Sequence, residues 1–525
     1  MIRVSVREET YRYNSYNLVR AFYPDSQVES VLDENQGELI LVSDEGRLLA
    51  AVDAPGFSHD LPKASAAGVP AATEGKLVEG VPAATLGKSE AGASGRASGD
   101  KLVCERELYR QLKIQTGREL PWGILTGVRP TKLATSMLGF LDREAFKEWI
   151  YNERLVSPEK AELSWDIALR EKKIIEDAGE GWSLYVHVPI CPGRCSYCSF
   201  SLGLLKDWES SLDLYTDCLI REIGALGESE ALGETKVPGR VGVPGGAKLP
   251  ESTEVPGGAK LPGKMGAPTA VYIGGGTPTV LSGAQLSRLI EFIGRKFAGF
   301  REFTVEAGRP DTITEEKLRV MKDLGVTRIS INPQTMQQKT LDLVGRRHSV
   351  AQVVESFRLA RRLGFDNINM DLIAGLPGES AEDFCDTLEQ IKALSPDSLT
   401  VHSLAIKRTA QMTSLTAPGS EVEKMIISGA RTALELGMNP YYLYRQKSIS
   451  GNFENVGYAR EGREGIYNVL TMEEVQSIVG VGAGAQSKCL LAEPMDDPGR
   501  GPGHKTRILH SANTKDIKSY INQWR

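Results

Sequence analysis

From residue 182 onward, the chain alternates between short apolar runs and longer amphipathic stretches. The apolar runs are WSLYVHVPI, TAVYIGGGT, REFTVEA, VTRISINPQT, NINMDLIAGLP and SLTVHSLAI, and each has a length typical of a buried strand. Helix-like stretches such as QLSRLIEFIGRKFAGF and VAQVVESFRLARRLGF lie between them. Six strands that alternate with helices predict parallel strands joined by crossover helices. We therefore predict an α/β fold, a partial (β/α)6 barrel or an open doubly wound sheet, with ligands at the carboxyl ends of the strands.

The pattern differs on either side of this region. GELILVSDEGRLLAAV (37–52) predicts a β-hairpin, and CERELYRQLKIQTG (104–117) predicts a helix that ends at Gly117. The predicted organisation is a small α+β N-terminal region at 1–180, the partial barrel at 181–420, and a C-terminal extension at 421–525 that we expect to close the substrate site.

Two segments have the composition of disordered insertions. At 61–101, VPAATEGK is echoed by VPAATLGK, and at 225–268 the string VPGGAKLP occurs twice. Both segments are rich in Gly, Pro and Ala and poor in aromatic residues. Such sequences cannot bury enough apolar surface to offset the entropy of the chain, so we predict that both are disordered surface insertions.

Bulk composition excludes several classes of protein. The 525 residues are 41% hydrophobic and 25% charged, which is typical of a soluble globular protein. A net charge of −6 gives no indication of nucleic-acid binding. The sequence contains no run of about 18 apolar residues, so it predicts no membrane insertion. The stretch MIRVSVREETYRYNSYN is too polar for a signal peptide. We therefore expect a cytoplasmic protein.

The string ICPGRCSYCSF contains the strongest chemical signal in the chain. Its cysteines, Cys191, Cys195 and Cys198, have C-x3-C-x2-C spacing, and the total of seven cysteines favours a metal site over disulfides. Three thiolates suit zinc or an iron–sulfur cluster. A cubane 4Fe–4S cluster takes one cysteine per iron, so three would leave one iron open. The alternatives are a structural zinc site, for which His187 is the nearest further ligand, and a redox dithiol.

This motif, placed after a first strand and with an aromatic residue before the third cysteine, resembles the signature of the radical S-adenosylmethionine (SAM) superfamily. The resemblance implies that SAM chelates the open iron and that one electron cleaves it to a 5′-deoxyadenosyl radical. It also implies cofactor contacts through the GGGTP loop, an acid at a strand end, two groups that bind the ribose hydroxyls, and an aromatic residue near the cluster. These residues are Gly274, Gly275, Gly276, Thr277 and Pro278, then Glu306, Gln334 and Asp371, and finally Tyr185. The structural alternatives are a plain tight turn, a solvated acid and a core aromatic residue.

Further motifs narrow the resemblance. The chain resembles the oxygen-independent coproporphyrinogen III oxidases in five strings, which are LYVHVPICPGRCSYCSF, YIGGGTPT, TVEAGRPDTI, VGRRH and MDLIAGLPGE. Four further strings resemble one group within that family, the HemZ-type coproporphyrinogen dehydrogenases. They are WGILTGVRPTKLA, TVHSLAIKR, PYYLYRQK and NFENVGYA. The resemblance implies oxidative decarboxylation of two propionates of a tetrapyrrole substrate to vinyl groups in haem biosynthesis. It also implies an electron donor of the flavodoxin or ferredoxin type.

A substrate with four propionates calls for cationic residues. The candidates are Arg445, Lys447, Lys407 and Arg408. We select Arg445, because it lies among tyrosines in PYYLYRQK, and we expect Arg445 and Tyr185 to act in catalysis. Tyr441, Tyr442 and Tyr444 either pack on the tetrapyrrole or belong to the core.

One position departs from the oxidase pattern. The oxidases carry a further cysteine two residues after the third cluster cysteine, and here that position is Phe200. The haem-chaperone relatives share this departure. The alternative function is therefore a haem-binding chaperone or another radical SAM protein of the same family that modifies tetrapyrroles.

Overall fold

The computed structural model describes residues 1–23, 26–36, 38–52, 95–200, 203–226, 266–405, 410, 412, 417–446, 453–497 and 505–525, with the backbone alone at 95–100. The chain divides into two compact units. The first is formed chiefly by Met1–Leu169, and the second by Arg170–Ser450 and Glu454–Arg525. Most of both predicted insertions lies outside the described residues.

The first unit is a four-stranded sheet with helices. Its elements are β1 (Ile2–Val6), α1 (Glu9–Phe22), β2 (Val28–Leu32), β3 (Ile40–Asp44), β4 (Arg47–Val52), α2 (Gly95–Thr116), α3 (Thr131–Met137) and α4 (Arg143–Arg154), followed by α5 (Pro158–Ala178), which continues into the second unit. The strand order is β2-β1-β3-β4, with β1 and β2 parallel and the others antiparallel. The predicted hairpin is therefore confirmed as β3 and β4.

Helix α2 is longer than the sequence predicted. It ends at Thr116, directly before Gly117, but it begins at Gly95, inside the segment predicted to be disordered. Extending an existing helix by one residue costs far less than nucleating a new one, so the helix-forming run after Cys104 can propagate back through small residues.

The second unit contains the alternating elements predicted from the apolar runs. They are β5 (Trp182–Val188), β6 (Ile190–Cys191), β7 (Gly203–Leu204), α6 (Leu205–Trp208), α7 (Leu212–Ala225), β8 (Ala270–Gly275), α8 (Gly283–Lys296), β9 (Glu302–Gly308), α9 (Glu315–Asp323), β10 (Arg328–Ile331), α10 (Gln338–Leu343), α11 (Val350–Arg362), β11 (Ile368–Ala374), α12 (Ala381–Leu394) and β12 (Ser398–Ser403). The remaining elements are α13 (Gly419–Glu435), β13 (Asn439–Tyr444), β14 (Asn455–Ala459), α14 (Ile466–Glu473), β15 (Ser477–Val481), β16 (Gln486–Asp496), β17 (Lys505–Ala512) and α15 (Ile517–Trp524).

Eleven of these described strands form one sheet, in the order β13-β14-β12-β11-β10-β9-β8-β5-β15-β16-β17, and β6 pairs separately with β7. The six predicted strands, β5 and β8 to β12, are parallel neighbours, which confirms the α/β prediction. A seventh parallel strand, β15, pairs with β5 and was not predicted. Antiparallel strands continue the sheet at both edges, so among the described strands it is open.

Local sequence fixes where the crossover helices begin. Three of them start with a capping box, in which a serine side chain and the side chain three residues later satisfy each other's backbone amides. The pairs are Ser282 with Gln285 on α8, Ser349 with Gln352 on α11, and Ser380 with Asp383 on α12.

Side-chain alternation separates two faces of the sheet. On β5, Leu184, Val186 and Val188 are fully buried on one face, so Tyr185 and His187 point to the other. Tyr185 pairs with Tyr272 on β8, and the pairing continues through β9 to β10, so the side chains at these paired positions all lie on this second face.

Polar groups and α14 occupy the amino-terminal half of this second face. Arg328 is fully buried and donates from Nη2 to Oγ of Ser398 at 2.9 Å. The first amides of α14, at Ile466 and Tyr467, donate to the carboxylate of Glu302, the first residue of β9, at 2.5 and 3.3 Å. The predicted site residues lie further along, at the carboxyl ends of the strands.

Candidate functional site

The cysteine loop and the GGGTP loop are bonded together at one rim. Cys191 ends β6, directly after β5, and the GGGTP loop begins at the end of β8. The amide of Gly276 donates to the carbonyl of Val188 at 2.8 Å, and the amide of Thr277 donates to that of Ile190 at 2.9 Å. The two motifs predicted to share a functional rim therefore meet through backbone hydrogen bonds.

The three thiols lie in a largely buried environment. Cys191 and Cys195 are buried, and Cys198 is partly exposed. Burial raises the pKa of the Cys191 thiol to about 11, and the other two cysteines add to the rise, although a hydrogen bond with Thr277 opposes it. Burial also raises the pKa of Cys198. Buried thiols of this kind become stable thiolates when a cationic group is bound among them.

The donor set fits a cubane cluster. Cys191, Cys195 and Cys198 lie on one loop, and Cys195 and Cys198 are close enough to Cys191 to raise its pKa. A cubane takes one thiolate on each iron, so its cysteines need not converge on one point.

Two arginines that the sequence analysis did not select contact the cysteine loop. Nη1 of Arg346 lies 3.9 Å from Sγ of Cys195 and 3.3 Å from Oη of Tyr197. Arg309 donates to the carbonyl of Gly193 at 3.4 Å and forms a two-bond ion pair with Asp311. Both arginines are buried, so they place positive charge against a site built to hold thiolates. The signal was present, because VGRRH and TVEAGRPDTI contain both residues.

Two glycines of the GGGTP loop are required because neighbouring residues lie too close to leave room for a side chain. Gly275 has φ +112°, and a Cβ there would lie 2.0 Å from Cδ2 of His187. A Cβ on Gly276 would lie 2.5 Å from the carbonyl oxygen of Ile190. The loop backbone is therefore seated directly on β5 and the cysteine loop, with its polar groups close to the thiols. Pro278 opens the short 3-10 turn that follows.

Glu306 lies beside this loop on β9. It accepts a 2.5 Å hydrogen bond from the hydroxyl of Tyr272, and a Cβ on Gly274 would lie 3.0 Å from its Oε2. Burial raises the pKa of Glu306 to about 7; the Tyr272 hydrogen bond opposes the rise, and the charge of Asp371 adds to it. At neutral pH, Glu306 is therefore close to its protonation midpoint, and it lies beside the glycine loop.

The structure brings Gln334 and Asp371, the two expected ribose ligands, next to each other. The amide of Gln334 donates to the carbonyl of Asp371 at 2.9 Å, and the amide of Ile373 donates back to Gln334 at 2.9 Å. Gln334 has φ +69°, an unusual conformation for a side-chain-bearing residue. Its Oε1 is buried and has no hydrogen-bond partner among the described residues. An orphaned buried oxygen of this kind fits a ligand that supplies a donor.

His402 organises the Asp371 carboxylate. Asn369 donates to Oδ1 of Asp371 at 2.7 Å, and Nε2 of His402 lies 3.8 Å from Oδ2. Burial opposes ionisation of Asp371, but the interactions with His402 and the hydrogen bonds with Asn369 and Thr400 together outweigh burial, so the pKa of Asp371 lies below its ordinary value. The hydroxyl of Tyr444 lies 3.3 Å from Nδ1 of His402. The sequence analysis did not select His402, although it stands at the carboxyl end of a parallel strand.

Tyr185 belongs to a column of aromatic rings. Its ring stacks on His187 at 5.7 Å and on Tyr467 at 6.1 Å, and Tyr467 in turn stacks on Tyr272 at 4.5 Å. Tyr185 is therefore packed within the polar and aromatic face, below the rim that carries the cysteines.

Arg445 follows β13. That strand runs parallel to β12, because both are antiparallel to β14, so Arg445 stands at the same rim. Its side chain is only 3% exposed, and burial lowers the pKa of Arg445 to about 10, an effect that the charge of Glu454 opposes. Tyr441 and Tyr442 are buried in an apolar cluster, which favours the core interpretation for these two residues. Lys407, Arg408 and Lys447 lie outside the described residues.

The chain is similar to several known proteins. The model of the Radical SAM superfamily matches residues 185–391. The oxygen-independent coproporphyrinogen-III oxidase-like protein HemZ of Bacillus subtilis (strain 168) is 39% identical over 443 residues, which are 80% of this chain and 80% of that protein. The heme chaperone HemW of the same organism is 29% identical over 315 residues, covering 58% of this chain and 70% of HemW. The solved structure of coproporphyrinogen III oxidase (HemN) from Escherichia coli matches with 22% identity and a TM-score of 0.45, over 67% of this chain and 71% of that one.

The chain therefore belongs to the radical SAM superfamily and, within it, to the oxygen-independent coproporphyrinogen-III oxidase-like family. Its cofactors are accordingly a 4Fe–4S cluster and SAM. In the described part of the chain, no helix combines the length and the apolar character needed to cross a bilayer.

Proposed function

We propose that this protein carries out the oxygen-independent oxidative decarboxylation of coproporphyrinogen III to protoporphyrinogen IX. In this reaction, each of two propionates loses one β-hydrogen, carbon dioxide and one further electron, and becomes a vinyl group. When bound, the cluster and SAM supply the radical chemistry that breaks an unactivated C–H bond. The chain itself binds, orients and shields the reacting groups.

The observation that carries the proposal is the buried guanidinium of Arg445 at the rim shared with the cofactor residues. Because its pKa of about 10 remains well above neutral pH, Arg445 stays cationic despite burial. A buried cation of this kind forms strong charge-assisted hydrogen bonds with a carboxylate, and a coproporphyrinogen carries four. Tyr444 and His402 connect this position to Asp371, the proposed ribose ligand.

The other site residues have complementary roles in the proposal. Cys191, Cys195 and Cys198 ligate three irons. The GGGTP loop and Glu306 hold the methionyl amine, while Gln334 and Asp371 hold the ribose. Tyr185 and its aromatic neighbours form the floor of the site, which keeps solvent away from a reactive intermediate.

The test is an anaerobic assay of the full chain with a reconstituted cluster, SAM, a reductant and coproporphyrinogen III. We expect 5′-deoxyadenosine and vinyl-bearing product in parallel, and neither from Cys195→Ala. Formation of 5′-deoxyadenosine without any vinyl product would overturn the proposal.

A second candidate, a haem-binding chaperone, is favoured by one observation. Phe200 stands where the resemblance to the oxidases expects a further cysteine, and its side chain is exposed. The similarity to HemW points the same way. Stoichiometric haem binding, together with the absence of vinyl product in the assay above, would favour this candidate.

We also propose a cytoplasmic location and a protein electron donor of the flavodoxin or ferredoxin type. All seven cysteines lie among the described residues and none of them forms a disulfide, as expected in a reducing compartment.

A further inference from the structure

The cysteine loop comes nearest to the surface at Cys198. This residue is partly exposed, whereas Cys191 and Cys195 are buried. Phe200 follows two residues later, and 61% of it is exposed, which is unusual for a phenylalanine. Arg194, in the same loop, is also exposed, and its positive charge lowers the pKa of Cys198 against the larger effect of burial.

A second loop, after α10, joins this surface. The amide of Ser196 donates to the carbonyl of Val344 at 3.0 Å, and a Cβ on Gly345 would lie 3.4 Å from the carbonyl oxygen of Arg194. The residues that flank this junction, Leu343 and Arg347, are both exposed, Leu343 to 61%. We call five exposed residues of the cysteine loop, the end of α10 and the loop after α10 the cluster-edge patch; they are Arg194, Phe200, Asp342, Leu343 and Arg347.

The chemistry of the cluster-edge patch differs from that of the whole chain. The chain has a net charge of −6, but the patch carries two cations and one carboxylate around two large apolar side chains. Asp342 accepts a hydrogen bond from Gln338 at 2.9 Å. No carboxylate in the described ranges lies within ion-pairing distance of Arg347. Apolar side chains with cations at their rim are typical of a surface that binds a negatively charged protein.

We propose that the cluster-edge patch docks a small acidic electron-transfer protein, which delivers one electron to the cluster past Cys198. The carrier is oxidised by one electron and the cluster is reduced by one electron, so no other reactant is needed. An acidic carrier would be repelled by the chain as a whole and attracted at this patch, which orients the encounter. Electron-transfer partners bind through small, transient interfaces, so a patch of five residues is of a suitable size. This inference rests on the proposed radical function.

The test measures reduction of the cluster in the full, reconstituted chain by an acidic flavodoxin in its hydroquinone form. The readout is bleaching near 400 nm in stopped flow, without any tetrapyrrole. We expect Arg347→Glu to slow bleaching at low ionic strength, and Arg194→Glu/Arg347→Glu to slow it by about 10-fold or more. The difference should disappear at about 0.5 M salt, because salt screens surface charges. Phe200→Ser should slow bleaching at both salt concentrations.

Two controls make the result specific. Photoreduced 5-deazaflavin needs no docking surface, so it should reduce wild type and variants at equal rates. Arg431→Glu, an exposed charge reversal late in α13 and therefore away from the carboxyl-terminal rim, should leave the flavodoxin rate unchanged. Unchanged flavodoxin rates in the patch variants, or equal slowing with 5-deazaflavin, would overturn the docking site. Because no substrate is present, these outcomes are independent of whether the protein decarboxylates coproporphyrinogen.

Discussion

Sγ of Cys191 lies 3.3 Å from Oγ1 of Thr277. This contact joins the first proposed cluster ligand to the loop proposed to hold the methionyl amine, across two parallel strands. Together with the backbone bonds from Gly276 and Thr277, it makes the cluster loop and the cofactor loop one structural unit. Disturbing one loop should therefore affect the function of the other.

Thr277→Val tests this coupling. Thr277 is only 1% exposed, and valine keeps its shape while it removes the hydroxyl. Loss of one hydrogen bond costs about 0.5–1.5 kcal/mol, so we expect SAM to bind roughly 3- to 10-fold more weakly to the reconstituted protein. Calorimetry under anaerobic conditions measures this. Thr277→Ser should bind as the wild type does; equal weakening in both variants would show that the hydroxyl is not the cause.

Gly276→Ala tests the close approach of the loops. Its Cβ would fall 2.5 Å from the carbonyl oxygen of Ile190, so the GGGTP loop must move. We expect SAM affinity to fall by at least about 10-fold, together with a loss of stability. Gly294→Ala on α8 is the matched control, because nothing lies within 4 Å of its Cβ position. Gly294→Ala should raise the free energy of unfolding by about 0.5–1 kcal/mol and leave SAM binding unchanged. Normal SAM affinity in Gly276→Ala would contradict the geometry of the loop.

Glu379 should make stability depend on pH. It is only 7% exposed, and burial raises its pKa to about 7, with hydrogen bonds from Thr335 and Thr340 opposing the rise. In the unfolded state the pKa of this carboxyl returns to its ordinary value of 4.5, so between pH 4.5 and 7 the folded state holds a proton that the unfolded state has released. Glu379 therefore lowers the stability of the fold as pH rises from 4.5 through 7. Glu379→Gln should remove the penalty and raise the free energy of unfolding at about pH 8, by up to about 3 kcal/mol more than at about pH 5. Denaturant titrations at the two pH values measure it.

The exposed Glu382→Gln, at the start of α12, is the control for Glu379 and should leave the pH dependence of the wild type intact. The assignment fails if Glu379→Gln retains the wild-type difference between the two pH values.

Arg445→Lys tests the proposed substrate cation. Lysine keeps a positive charge near Glu454 but loses the planar fork that holds a carboxylate with two bonds. We expect KM for coproporphyrinogen III to rise by about 10- to 100-fold, the equivalent of about 1.5–3 kcal/mol for a charged hydrogen bond. The rate of 5′-deoxyadenosine formation without substrate should not change. An unaltered KM would remove Arg445 from the substrate site.

The cysteines divide into two groups. Cys191→Ala, Cys195→Ala and Cys198→Ala should each abolish the absorption near 400 nm of the reconstituted protein. The same change at Cys104, Cys218, Cys385 or Cys489, which lie on other elements, should leave that absorption intact. Loss of the cluster in one of the latter variants would show that the three-cysteine assignment is wrong.

The sequence predicted the elements whose pattern is local. The six parallel strands and the positions of the cysteine and glycine loops followed from apolar periodicity and from residue spacing. Strand β15 was missed because its five residues pair with β5, almost 300 positions earlier in the chain, and nothing local indicates that partner. The start of α2 was misplaced because Gly95, Ser98 and Gly99 are weak helix formers on their own.

Individual site residues were harder to predict than the loops. Arg346 and His402 are of interest because they lie close to Cys195 and Asp371, respectively, and only the tertiary structure brings these residues together. Their positions nevertheless carried a signal, because both follow the rule that functional side chains cluster at the carboxyl ends of parallel strands.

The central claim is that three thiolates leave one iron of the cluster for SAM. The most direct measurement is electron–nuclear double resonance on the reduced cluster of the anaerobically reconstituted protein, with SAM labelled with ¹⁵N at its methionyl amine. The account predicts ¹⁵N hyperfine coupling from that nitrogen, which ¹⁴N coupling replaces when unlabelled SAM is used. Coupling from a histidine nitrogen of the protein in its place, or a cluster whose spectrum does not respond to SAM, would contradict it.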